Sequence, residues 1–366
     1  DKSNQVHPTT RWGQAGYGVT PQPPTPTLTD PTDRRLQTHS RLSGGSDAGG
    51  AVGEVRSPMA QIRQPTGEFR RSVEDSRRWR GFVHRPDDIF ISTPPKSGTT
   101  WMQGIIASLI WPEGDAPAER GTLSPWVDAR FTPVEDVLAH LDQQEHRRFI
   151  KSHSPADCFP LFEECKYVTV YRDGRDALMS WANHRGAMRH ELVDVLNTSA
   201  ADEGLRLLPP WNGDMDDLFD QWEQDCSPIR HLASWWPLRH DGFAYFVHYN
   251  DLKADLEGEM RLLADFLGIE VPEHLWPATV ERCGLAEMRE EARTSARVDM
   301  IFENGADSFF HKGTNGRWRD ELNSEQLHRY DTLVSENLPH DAAQWLQTGS
   351  LASGTRPHAS NPRGTE

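Results

Sequence analysis

Residues 88–111, DIFISTPPKSGTTWMQGIIASLIW, constrain the fold more than any other stretch of the chain. The β-branched apolar run from Ile89 to Ile91 reads as a short buried strand. A turn rich in Gly and Thr follows, and Trp101, Ile105, Ile106, Leu109 and Ile110 then recur at helical spacing. Strand, turn and helix in that order make a phosphate loop. The first helical turn leaves backbone N–H groups without partners at the positive end of the helix dipole, so it favours an anion. Lys96 adds a charge, Gly98 sits within the turn, and Ser97, Thr99 and Thr100 add three hydroxyls. The expected ligand is a phosphate ester; an ordinary polar turn capping a core helix is the plainer alternative. The spacing is not that of the nucleotide-triphosphatase loop GxxxxGK[ST], because the lysine precedes the glycine and no acidic metal-holding partner follows in an obvious place.

Only 36% of the 366 residues are hydrophobic, which is low for a fully packed chain of that length. Residues 1–58 are rich in Pro, Gly, Ser and Thr and lack a periodic apolar face, so they read as a disordered low-complexity extension. Met59 opens the structured part and is a candidate for the true start, a genuine flexible extension being the alternative. One α/β domain is expected over 59–348, with a flexible tail over 349–366. A net charge of −16 argues against a chain that coats nucleic acid or an anionic membrane, so the partner is expected to be a small molecule. The cysteines, Cys158, Cys165, Cys226 and Cys283, form no CxxC pair and read as buried thiols of a reducing compartment. Neither a signal peptide nor an apolar run near the roughly 18 residues of a membrane span is evident, so the expectation is cytoplasmic.

Along the chain, 69–85 is charged and is expected at the edge of the domain. Thr132-Pro133-Val134-Glu135 reads as a capping box opening a helix to about Leu141. The loop before it, with Trp126, Arg130 and Phe131, is a candidate acceptor wall, covering of the core being the plainer reading. RRFIKSH is a second strand that puts Lys151 and His153 on one face at its C-terminal end, where open α/β sheets bind ligands. KYVTVYR is a third strand, followed by a helix opening at Asp173. Residues 188–211 read as an insertion carrying a lid or substrate loop, 228–236 as a helix with core-packed tryptophans, 243–249 as a strand, and 251–267 as an amphipathic helix ending at Gly268. The alternation implies a P-loop-like parallel sheet flanked by helices on both faces, in a single domain.

PPKSGTTW closely resembles the 5′-phosphosulfate loop, usually YPKSGTTW, of sulfotransferases that use 3′-phosphoadenosine-5′-phosphosulfate (PAPS). Three further segments follow in the order that family shows, between about Asp88 and Asp320. Lys151-Ser152-His153 resembles its KTH motif, which implies His153 as general base for an acceptor hydroxyl. Histidine suits that role because its ordinary pKa lies near 6.5. VYRDGRDALMS resembles the 3′-phosphate segment and implies Arg172 and, eight positions on, Ser180 as phosphate ligands; an arginine offers a planar, always-charged fork. FFHKGTNGRWRDEL resembles the C-terminal RKGxxGDWK loop: Lys312, Gly313, Gly316 and Trp318 match, whereas His311 stands for the arginine and Arg317 for the aspartate.

The resemblance also implies an adenine site of Trp101 and Tyr249, with Leu285 where the family has a phenylalanine. The implied reaction is transfer of a sulfuryl group from PAPS to a hydroxyl, or an amine, of a small organic acceptor. Lys96 would neutralise the leaving phosphate, Lys151 would assist, and no metal would be needed. A P-loop kinase-like phosphotransferase and a catalytically silent nucleotide-binding scaffold are the rival readings, the second motivated by His311, Arg317 and Leu285. Acceptor identity and oligomeric state, a homodimer included, stay open.

Overall fold

Strict alternation along short strands builds the centre of the molecule. The computed structural model describes residues 61–357 apart from 226, 294, 310–312 and 355. Its strands are β1 (Gln61–Arg63), β2 (Ile89–Ser92), β3 (Phe149–Ser152), β4 (Leu161–Phe162), β5 (Lys166–Tyr171) and β6 (Ala244–His248). β1 and β4 form a small antiparallel pair, and the other four form a parallel sheet in the order β3-β2-β5-β6. Ile89, Ile91, Val168, Val170, Tyr245 and Val247 face one core, while Phe90, Ile150, Tyr167, Tyr171 and Phe246 face the other. Both faces are therefore covered, as buried parallel sheets require.

On the first face lie Met102, Ile105, Ile106 and Leu109 of the helix α1 (Thr99–Ile110), with Met260 and Leu263 of the helix Leu256–Leu267. The second face is covered by the helices Gly174–Ala187, Ser227–Trp235, Ser324–Asn337 and His340–Thr348, through side chains such as Leu178, Leu232, Tyr330 and Trp345. Trp235 and Trp236 are buried there, as the core reading requires. The two cores share one sheet, and the described chain is a single α/β domain.

Four local expectations change. The helix after Thr132 spans Val134–Gln143 with Pro133 as its N-cap and no side-chain cap bond, so the capping box does not form. The carbonyl of Thr132 instead accepts from Arg78. The stretch read as an insertion holds a helix, His190–Asp202, whose Leu196 and Ala200 are buried. The helix expected over 251–267 is two, Tyr249–Ala254 and Leu256–Leu267. Asp255 leaves helical geometry at φ −148° and caps the second through Gly258 N–H. Finally, where composition predicts a fraying tail, Ser350–Ser353 form a short helix, and Asp251 accepts from the N–H groups of Ser350 and Leu351. The extension read over 1–58 lies outside the described residues. Among the described residues no helix is long and apolar enough to cross a membrane.

Candidate active site

Because β2, β3, β5 and β6 run parallel, the residues that follow their last members come to one edge of the sheet. These are the loop 93–98, His153, Arg172 and Tyr249. A cavity of about 1600 Å³ opens there, and Lys96, Gly98, Thr99, Thr100, Trp101, Lys151, His153, Arg172, Ser180, Tyr249, Leu285 and Gly313 all line it. The motifs legible in the sequence thus converge on one site. His311 and Lys312 lie outside the described residues.

The loop turns sharply because Lys96 and Gly98 both adopt left-handed backbone conformations, at φ 67° and 115°. For Lys96, a residue with a Cβ, that conformation is uncommon and concentrated at functional sites. At Gly98 an added Cβ would lie 3.3 Å from the Tyr249 ring, so both conformation and space require glycine. The first turn of α1 then opens on the cavity with no side-chain cap. The loop hydroxyls differ in placement. Thr99 is tied to the Thr93 hydroxyl at 2.5 Å, whereas Ser97 is fully buried inside the turn, off the cavity wall, with its Oγ unpartnered among the described residues.

Three cations share this end of the site. Burial first, then Lys151 and Arg172, push the Lys96 ammonium down to about 7. Arg172 is also lowered, chiefly by burial, with the like charge of Arg317 adding to the shift and Tyr249, Asp176 and Asp173 opposing it. Mutually repelling, half-desolvated cations around an uncapped helix start fit a polyanion such as a nucleotide with phosphates at both ends. Lys96 Nζ meets Nδ1 of His184 at 3.1 Å, and the His184 ring stacks on Trp181 at 5.1 Å. Burial, followed by Lys96 and Lys151, holds His184 well below the usual histidine range, so it is neutral and can accept from the ammonium.

His153 is held from two sides. Its Nδ1 lies 2.6 Å from the carbonyl of Thr93, an acceptor only, so Nδ1 carries the proton and Nε2 carries the lone pair. Burial and the Lys151 charge hold the ring well below the ordinary histidine value, which keeps it neutral. Beneath it, the fully buried Asp128 accepts from Ser152 Oγ at 2.7 Å, Ser154 Oγ at 2.6 Å and the His153 N–H at 3.2 Å. The two serines that flank His153 therefore fix the turn that presents it. Trp126 closes the side, edge-on to His153 at 4.7 Å and under Lys151 Nζ at 3.7 Å.

At the other end, Arg172 lies over the Tyr249 ring at 4.5 Å and donates to Asn315 Oδ1 at 2.5 and 3.0 Å and to the Thr314 carbonyl at 3.1 Å. The glycine-rich C-terminal loop thus sits directly on the arginine, held further by Asp176, which accepts from Gly316 N–H at 2.6 Å. Arg317 also faces the cavity, so the basic residue standing for the family's aspartate does bring charge here. Trp101 crosses Tyr249 edge-on at 5.2 Å and donates its indole N–H to the Cys283 carbonyl at 2.9 Å. That bond anchors the turn leading to Leu285, which is 44% exposed and adjoins Gly313. Ser180 is half-buried in the wall formed by the helix Gly174–Ala187.

Sequence reasoning missed Glu74, Asp128 and His184. The segment 69–85, expected at the domain edge, lines the cavity through Phe69 to Glu74. The candidate acceptor wall does contribute Trp126 and Phe131, whereas Arg130 pairs with Glu203 at 2.6 Å and with Asp75 at 3.6 Å.

The geometry is that of a nucleotide-dependent transferase, and comparison with known proteins supplies the family. The sulfotransferase domain matches residues 86–341. A glycolipid sulfotransferase of Mycobacterium bovis is 30% identical over 308 residues, covering 77% of this chain and 94% of that protein. Sulfotransferase 1A1 of Rattus norvegicus is 27% identical over 267 residues, covering 70% and 86%. Among solved structures, mouse sulfotransferase SULT7A1 complexed with PAP aligns at a TM-score of 0.56 and 21% identity, over 75% of this chain and 91% of that one. Retinol dehydratase in complex with androsterone and PAP aligns at 0.53 and 19%, over 77% and 90%. The chain belongs to the sulfotransferase family and is an enzyme of that class.

Proposed function

We propose that this chain transfers a sulfuryl group from PAPS to a hydroxyl of a small organic acceptor, with His153 as general base. The observation that carries the reading is the common outlook of two groups. The lone pair of His153 Nε2 and the Lys96 side chain belong to one cavity, the imidazole neutral as a base must be and the lysine, lowered to about 7, placed to regain its full charge beside a phosphate. Solved structures of the same fold hold PAP, and the cation set here suits that nucleotide's two phosphate ends.

Lys96 and the N–H groups opening α1 would hold the 5′-phosphosulfate, and Arg172, Arg317 and Ser180 the 3′-phosphate. Trp101, Tyr249 and Leu285 would enclose the base. The donor supplies the sulfuryl group. His153 Nε2 takes the hydroxyl proton as the acceptor oxygen bonds to sulfur. Lys96 offsets the charge gathering on the bridging oxygen as its bond to sulfur breaks, leaving 3′,5′-diphosphoadenosine. Fixed cations and helix-start amides placed where charge develops are the strongest lever in such a site, and in-line placement of acceptor and sulfur contributes much of the rest. Lys151, over Trp126 and beside His153, keeps the imidazole neutral until the proton arrives.

The test is incubation of the full chain with radiolabelled PAPS and a panel of hydroxyl and amine acceptors, alongside ATP with magnesium. The reading expects label on acceptor from PAPS and no phosphoryl transfer from ATP. Phosphoryl transfer without sulfuryl transfer would assign the site to a kinase.

A further inference from the structure

On the cavity wall, Arg70 pairs with Glu203, Arg71 with Asp225, Arg120 with Glu291 and Arg230 with Asp157. Arg185 breaks that rule. It is 6% exposed, lines the cavity from the last turn of the helix Gly174–Ala187, and among the described residues makes no ion pair. Its Nη2 donates to the Pro209 carbonyl, its Nε is buried without a partner, and its guanidinium lies 5.8 Å from the Trp181 ring. An arginine is rarely buried without an opposite charge, because a carbonyl and a ring do not replace the hydration it loses. Burial lowers its pKa with no carboxylate near enough to oppose the shift.

The 205–211 loop does not need Arg185 as its anchor. Asn197 donates to the Leu208 carbonyl at 2.8 Å and accepts from the Leu208 N–H at 2.7 Å, which already fixes the loop to the helix His190–Asp202. The exposed Arg206 of the same loop also lines the cavity and also pairs with no acid among the described residues. Glu74 stands elsewhere on the wall, its backbone bridging Ala129 next to Asp128, the residue that fixes the His153 turn. This end of the cavity therefore carries arginine charge without counter-charge. Arg185 directly follows His184, which meets Lys96 Nζ at 3.1 Å, so a bound molecule can reach from the reaction centre to the arginine. Met188, Leu192 and Leu208 make the adjoining stretch of wall apolar.

We propose that Arg185 binds a carboxylate of the acceptor, so that the substrate class is a hydroxylated organic acid with an apolar body. This deepens, and rests on, the sulfuryl-transfer reading above. The carboxylate supplies the charge that the guanidinium lacks, the body lies along Met188, Leu192 and Leu208, and the hydroxyl at the far end meets His153. Arg206, at the exposed side of the loop, adds to the field that draws an anion in.

The experiment compares ω-hydroxyalkanoates of eight, ten and twelve carbons with their methyl esters and with the matching ω-amino alcohols, on the full chain with PAP bound so that the nucleotide cations are occupied. Binding is followed by tryptophan fluorescence, for which Trp181 beside Arg185 is a reporter, and transfer from PAPS is measured in parallel. The expected result is tighter binding of the acid than of its ester at one or more lengths. That preference should fall about ten-fold or more in Arg185→Gln and by less in Arg185→Lys, which keeps a charge and loses the planar fork. No preference for the acid at any length, or a preference that Arg185→Gln leaves intact, overturns the proposal, as does tighter binding of the amino alcohols. Should Arg185→Gln fail to fold, Arg185→Lys decides: an acid preference at the parent value overturns the proposal, and a reduced one supports it. Absence of transfer from PAPS to every acceptor would fault the reaction and leave the binding ratios to judge Arg185.

Discussion

Lys96 Nζ and His184 Nδ1 lie 3.1 Å apart, so the lysine of the phosphate loop is held by a neutral imidazole from the helix Gly174–Ala187. An acceptor lone pair favours the ammonium over the amine, opposing the burial that lowers Lys96. Replacing His184 by Phe keeps a ring against Trp181 and removes that acceptor. PAP affinity should fall as pH rises through about 7 in the parent chain, and in His184→Phe the fall should begin roughly one pH unit lower. Superimposable affinity profiles from pH 5.5 to 9 would show that the contact has no bearing on the lysine.

The same residue predicts proton uptake on nucleotide binding. Lys96 is lowered in the folded chain, from 10.5 to about 7, and a phosphate beside it restores the charged form. At pH 8 the lysine is mostly neutral before binding and charged after it, so PAP binding should take up about one proton, declining toward none near pH 6. Calorimetric titration in buffers of different ionisation enthalpy reads this directly. Proton release at pH 8 would contradict it.

Arg172 joins the C-terminal loop to the expected 3′-phosphate, since it already forks onto Asn315 and Thr314. Arg172→Ala should therefore weaken PAP by about 10- to 150-fold, the equivalent of a charge-assisted bond of roughly 1.5 to 3 kcal/mol. Binding of 5′-AMP, which lacks that phosphate, should change much less. Equal losses for both nucleotides would make the arginine a loop anchor only.

The phosphate loop, His153, Arg172 and Tyr249 could be read from the sequence because each follows directly on an apolar strand. Parallel pairing sends every such position to one edge. Asp128, His184 and Glu74 could not be read in that way, since their importance comes from neighbours 25, 88 and 55 positions distant, Asp128 holding His153, His184 meeting Lys96, and Glu74 bridging Ala129. The serines at 152 and 154 were a signal for a buried acceptor beneath His153 that the motif itself obscured. The helix His190–Asp202 carried its period in Leu192, Leu196 and Ala200, masked by the polar residues between them. Asp255, equally compatible with a helix interior and with a cap, broke one expected helix into two because its carboxyl found the Gly258 N–H.

His153→Ala is the most direct test of the proposed base, because the proposal aims that imidazole at the acceptor proton and assigns the nucleotide to other residues. PAP affinity, followed by thermal shift, should stay near the parent value. Turnover with any accepted alcohol should drop by roughly 10²- to 10⁴-fold, in kcat rather than in the KM for PAPS. Near-normal kcat in His153→Ala would contradict the assignment and leave the bond to Thr93 as a purely structural strand-end contact.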